Sequence, residues 1–250
     1  MTVLILGGTA EARQLAGDLA SAGTPIVTSL AGSVASPSLP EGEVRIGGFG
    51  GVEGLIDYLR EHRIDRVVDA THPFAATITA NAAEACTRAG IPLLRLSRPG
   101  WEGHPGASGW HWVADMGAAR DAAAALGRRV FLSVGRGSLG VFTEEPEPTG
   151  WGDSYVLARV IDDPPGDVPP TWEIVRGRGP FTRESEVELM RSRGIDLLVT
   201  KNSGGEQTAA KLDAAADLGI GVVMVARPPL PEGVPAVDSV DAALAWVLDG

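Results

Sequence analysis

Residues 4–16 read LILGGTAEARQLA. An apolar run stops at Gly7 and Gly8, and a helical pattern begins directly after it. This is strand, tight turn and helix, the first half of a βαβ unit. The helix start offers free N–H groups and partial positive charge to an anion. Gly7 and Gly8 allow a close backbone approach to a phosphate, Thr9 adds a hydroxyl, and Ala10 and Glu11 open the helix. Only part of the G-x-G-x-x-G spacing is present, so placement after the first strand carries the reading more than the motif does. The stretch reads as a dinucleotide loop.

The same cadence continues outward. PIVTSL, EVRIGG, DRVVDAT and PLLRLS read as further strands, with helices over AEARQLAGDLASAG, VEGLIDYLREHR and AATITANAAEACTRAG. Alternating strands and helices predict a mostly parallel sheet covered on both faces. After Arg98 the texture turns to Gly, Pro and Trp in RPGWEGHPGASGWHW, which reads as a crossing segment holding His104 and His111. A second series follows, with strands RRVFLSVG, YVLARVI, WEIVRG, DLLVTK and GVVMVARP and helices near 115–126, 183–193, 205–218 and 239–248. The expected architecture is α/β: two Rossmann-like domains with mostly parallel sheets and a cleft between them. The boundaries are 1–100 for an NADP(H)-binding domain and 101–250 for a second α/β domain.

The phosphate preference comes from the end of the second strand. Enzymes that use NAD carry an acid there for the ribose 2′-hydroxyl. Residues 26–36 contain none; they offer Thr28, Ser29, Ser33 and Ser36, with backbone N–H groups near Gly32. An acid repels a 2′-phosphate and hydroxyls accept one, so NADP(H) is favoured. A further strand end, DATHPFAA, places Asp69, Thr71, His72 and Pro73 at a helix start, where open parallel sheets bind ligands. His72 suits a phosphate donor or an acid near neutral pH, and equally a capping histidine.

The formal charge of −11 argues against general nucleic-acid binding. The single cysteine, Cys86, allows no disulfide framework, and the four histidines show no metal-ligand spacing. The short apolar N-terminal run without a basic start, and the lack of any long apolar stretch, lead to an expectation of a cytoplasmic protein without a membrane span. Of 21 basic residues only Lys201 and Lys211 are lysine. Lys201 follows the strand DLLVT in a loop of small residues, TKNSGG, and reads as a ligand-facing cation; Lys211 reads as an ordinary helix-surface residue.

LILGGTAEAR, DATHPFA, RLSRPGW, GRGPF and TKNSGG occur in that order between residue 3 and about residue 228. The ordered set resembles the precorrin-6A reductase family of corrin (vitamin B12) biosynthesis, cobalt-precorrin-6A relatives included. The resemblance implies an NADPH-dependent reduction of one double bond in a macrocyclic tetrapyrrole, with hydride to C19 and a proton to C18, giving precorrin-6B. It leaves open whether the substrate carries cobalt.

That substrate is flat, with apolar faces and a carboxylate rim. Arginine pairs with carboxylates bidentately. Arg13, Arg95, Arg98, Arg136 and Arg178 are therefore the expected substrate contacts, with Arg176 and Arg227 also at strand ends. Phe181 is placed to lie against a ring face, and Lys201, Ser203 and Gly204 to line the site. Lys201 and His72 are the candidate catalytic groups, with a water or a substrate carboxylate as other proton sources. Handover contacts with neighbouring pathway enzymes are a further expectation. A short-chain reductase or epimerase needs Tyr-x-x-x-Lys, and neither Tyr58 nor Tyr155 has lysine at that spacing. A non-catalytic NADP(H)- or tetrapyrrole-binding module differs from an enzyme only in turnover.

Overall fold

The structure is a computed structural model and describes residues 1–32, 39–144, 150–163, 166–205 and 208–249. Its contacts divide the chain into two compact units, Met1–Pro99 with Pro228–Gly250, and Gly100–Arg227.

The first unit holds β1 (Val3–Leu6), β2 (Ile26–Leu30), β3 (Glu43–Ile46), β4 (Arg66–Asp69), β5 (Leu93–Leu96) and the late strand β12 (Ala236–Val237). They form one sheet of order β12-β5-β4-β1-β2-β3, with every pairing parallel. A strand covered on both faces needs an unbroken apolar run, and VLIL supplies it. Val3 and Ile5 pack under α1 (Ala10–Ser21) and α8 (Val240–Asp249). Leu4 and Leu6 pack under α2 (Gly51–Glu61) and α3 (Ala76–Ala89).

The C-terminal boundary differs from the sequence expectation of one domain over 101–250. Residues 228–250 return to the first unit, where β12 extends the sheet beside β5. The apolar side of α8, Val240, Ala243 and Val247, covers the face shared with α1. α2 and α3 cover the opposite face, so α8 completes a layer that α1 alone leaves partly bare.

The second unit holds β6 (His111–Val113), β7 (Arg129–Ser133), β8 (Tyr155–Val160), β9 (Glu173–Arg176), β10 (Leu197–Lys201) and β11 (Gly221–Val225). Their order is β6-β11-β10-β7-β8-β9, again all parallel. Helices α6 (Arg183–Ser192) and α7 (Ala210–Leu218) bury Met190 and Leu212 against Phe131, Leu157 and Leu198. Helices α4 (Met116–Leu126) and α5 (Arg136–Thr143) pack against each other. The sequence reading missed β6, β12 and α5. Gly137 and Gly140 make RGSLGVFT look like a loop, but burial of Leu139 and Phe142 holds it helical.

Both sheets have a point where the chain reverses its direction of travel across the strands. It lies between β1 and β4 in the first and between β7 and β10 in the second. Crevices outside the strand carboxyl ends at such points are the ligand sites of open α/β sheets. Among the described residues, no helix is long and apolar enough to cross a membrane.

Candidate functional site

The glycine turn lies at the first of these points. Gly7 is packed from beneath: a Cβ there would sit 2.8 Å from Thr28 Cγ2. Gly8 has φ +116° and nothing within 4 Å of a built Cβ, so its exposed side faces open space. Thr9 caps α1, with Oγ1 accepting from Ala12 N at 3.1 Å and donating to Ala70 O at 2.8 Å. The hydroxyl expected to meet a phosphate thus ties β4 to the start of α1. An open glycine at an extreme positive φ, beside a helix N-terminus, fits the pyrophosphate of a dinucleotide.

Beside the turn is a small recess lined by Thr9, Glu11, Thr71, Pro73, Leu96, Ser97 and Arg98. Arg98 Nη1 stands 3.0 Å from both Glu11 carboxylate oxygens. Burial raises the Glu11 pKa, but its own backbone N–H and Arg98 outweigh burial and hold the carboxyl below its ordinary value. Arg98, expected on substrate, is engaged with Glu11 at the start of α1. Arg13 lies half-buried on α1.

Arg95 corrects the sequence reading. It is 1% exposed and therefore closed to substrate. Its Nη1 pairs with Asp69 Oδ1 at 2.6 Å, with Asp69 equally buried. Nη1 and Nη2 also donate to Thr71 Oγ1 and Thr71 O, both at 2.9 Å. Asp69 accepts from the hydroxyls of Thr71 at 2.7 Å and Thr79 at 2.6 Å. The network locks the turn that presents His72. There Nδ1 accepts from Phe74 N at 3.2 Å, so the neutral ring carries its proton on Nε2.

Along β2, Thr28 is 1% exposed, with its methyl carbon against Gly7 and its hydroxyl oxygen buried, which removes it from the candidate phosphate contacts. Ser29 sits one residue on, and Ser33 and Ser36 lie outside the described residues. An open cleft of about 340 Å³, lined by Phe49, Phe74, Ile78 and Asn81 among others, lies at the N-termini of α2 and α3. Nothing in the sequence reading pointed to it, because its walls come from separate strand ends.

In the second unit, Lys201 ends β10 at the reversal point. A Cβ on Gly135, at the start of α5, would lie 3.9 Å from Lys201 Nζ. Burial pushes the ammonium down from 10.5 to about 8. The neighbouring Asn202, 1% exposed, fixes the loop: its Oδ1 accepts from Trp101 N at 2.7 Å and its Nδ2 donates to Glu102 at 2.6 Å. Ser203 and Gly204 follow, both buried. Arg136 opens α5 half-buried, whereas Arg178 is exposed beyond β9. The Phe181 ring lies 3.9 Å from the Arg159 guanidinium, which itself pairs with buried Glu186 at 2.7 Å. One face of Phe181 is thus already covered.

Lys211 is a second correction. Expected at the surface, it is 9% exposed. It shares a helical side with Ala214 and Ala215, both fully buried, at spacings of three and four. Burial pushes the Cys86 thiol up to about 12, as expected of a core cysteine rather than a nucleophile.

The family model described as Precorrin-6x reductase CbiJ/CobK matches residues 2–248. The chain belongs to this family. The precorrin-6A reductase of Rhodococcus erythropolis is 51% identical over 246 residues, covering 98% of this chain and 96% of the relative. That of Mycobacterium tuberculosis is 53% identical with the same coverage. The solved structure of CobK precorrin-6A reductase superposes with a TM-score of 0.86 at 40% identity, covering 100% of this chain and 96% of that one. Membership of the precorrin-6x reductase family accounts for two Rossmann-like units in one chain, and for strand-end motifs in both.

Proposed function

We propose that this chain reduces one carbon–carbon double bond of precorrin-6A to give precorrin-6B, in the cytoplasm, with NADPH as reductant. The observation that carries the reading is the presence, in a member of this family, of an open Gly7-Gly8 turn in one unit and, separately, of a partly desolvated Lys201 in the other. Each stands at the reversal point of its sheet. Bound NADPH supplies a hydride, to C19 in this reading, while the protein manages charge, orientation and a proton for C18. Gly8 and the start of α1 hold the pyrophosphate, with Thr71, His72 and Pro73 bordering the cofactor. The metal-free macrocycle is favoured over the cobalt form because the relatives at 51% and 53% identity carry the name precorrin-6A reductase.

Lys201 suits the substrate side for a reason specific to lysine. A compact ammonium with a pKa near 8 both pairs with a carboxylate and gives up a proton near neutral pH. A guanidinium stays charged. Arg136 and Arg178, on the carboxyl-end side of the same sheet, are the remaining candidates for the carboxylate rim.

The test is absorbance-monitored NADPH oxidation with precorrin-6A, with the cobalt form as comparison. Turnover with NADPH is the expected result; binding of both ligands without turnover rules out the catalytic reading. NADPH is expected to bind at least tenfold tighter than NADH, about 1.4 kcal/mol, because no acid stands at the end of β2. Equal affinities by calorimetry refute the preference.

Gly8→Val should weaken NADPH binding by at least tenfold, since a branched side chain fills the open side of the turn. At φ +116° it also strains the backbone by roughly 1–3 kcal/mol. A fold stable by about 5–15 kcal/mol survives that strain. A native circular-dichroism spectrum with unchanged NADPH affinity moves the cofactor elsewhere.

A further inference from the structure

Arg45 plays no part in the glycine turn, yet the sheet delivers it to the end of β2. The register of β2 and β3 sets Ser29 directly opposite Arg45. Arg45 Nη1 donates to Ser29 Oγ and Gly47 O, both at 2.8 Å, and Nη2 donates to Gly48 O at 3.1 Å. The guanidinium lies 3.8 Å from the Phe49 ring centroid, and Phe49 lines the 340 Å³ cleft. The side chain is thus held in one orientation before any ligand arrives.

What it lacks, among the described residues, is an anion. Arg95, Arg98 and Arg159 each pair with a carboxylate. Among the described residues none pairs with Arg45, and residues 33–38, which follow β2, contain no acid. Among the described residues its Nε and a second Nη2 hydrogen meet no acceptor. A positioned arginine beside the end of the second strand, where an acid would select a bare ribose, complements a phosphate.

We infer that Arg45, braced by Ser29 and Phe49, is the residue that reads the 2′-phosphate of the adenosine ribose. The inference rests on the NADPH reading above and deepens it. Ser29 then serves as a brace for the guanidinium as well as a hydroxyl partner for the phosphate.

Calorimetry with adenosine 2′,5′-bisphosphate and with 5′-AMP tests it without turnover, on the intact chain and on Arg45→Gln. The intact protein is expected to bind the bisphosphate at least tenfold tighter. Arg45→Gln should erase that margin and leave 5′-AMP and NADH affinities unchanged. If the intact protein shows the margin and Arg45→Gln keeps it, the inference fails while the NADPH reading stands. If the intact protein shows no margin, both fail. Arg45→Lys, which keeps the charge and loses the fork, guards against a misfolded Gln variant: it should retain part of the margin. An equal loss for 5′-AMP and the bisphosphate in that variant makes Arg45 structural and overturns the assignment.

Discussion

Arg95→Ala is expected to lower the stability of the first unit by about 3–5 kcal/mol, the usual result of stripping one partner from a buried ion pair. The change leaves Asp69, 1% exposed, without the guanidinium that sits 2.6 Å away. It also removes two donors from Thr71. Urea unfolding, read by hydrogen exchange at the β4 and β5 amides, isolates this unit from the other. Replacing both partners, Arg95→Leu with Asp69→Asn, should recover much of the loss, because no buried charge is then left unpaired. A single variant as stable as the parent excludes the network as the lock on the His72 turn. Cofactor binding should fall with stability in Arg95→Ala, since that turn borders the recess beside Gly8.

Lys201→Ala is expected to reduce kcat/KM by about 10- to 150-fold, the loss of one charged, partly desolvated contact worth roughly 1.5–3 kcal/mol. NADPH affinity should barely change. Lys211→Ala is no neutral control, because Lys211 is buried; Arg191→Ala, exposed on α6, serves instead.

The pH dependence adds a second readout. With the ammonium at about 8, the protonated form dominates below that pH and fades above it, so kcat/KM should fall as pH rises through 8. Lys201→Arg, charged throughout, should lose that limb. Stability should move the other way. The unfolded chain titrates this lysine near 10.5, so between about 8 and 10.5 the unfolded state holds more protons and stability rises with pH. Full activity in Lys201→Ala shifts the substrate site to the arginines.

Much of this was legible in the sequence because it is local. Apolar runs broken by glycine turns and followed by helical spacing specify strand, turn and helix within about fifteen residues, and they predicted both α/β units. The same signal located the Gly7-Gly8 turn, the His72 turn and the Lys201 loop, since a parallel sheet brings every strand's carboxyl end to one edge. The ordered motifs then pointed to the family.

What tertiary structure alone decided was the partner of each polar side chain. Arg95 and Arg98 stand three residues apart and both looked like substrate contacts. One is sealed against Asp69, the other held on Glu11. Lys211 looked exposed by its chemistry and is buried by its helical phase. Residues 228–250 looked like the end of the second series and instead complete the first sheet. Arg45 meets Ser29 only through the pairing of β2 with β3, sixteen residues apart in the chain. Backbone periodicity is set by neighbours in sequence, so it can be read along the chain. The burial and pairing of a charge are set by strand register and layer packing, which join residues that the chain keeps far apart.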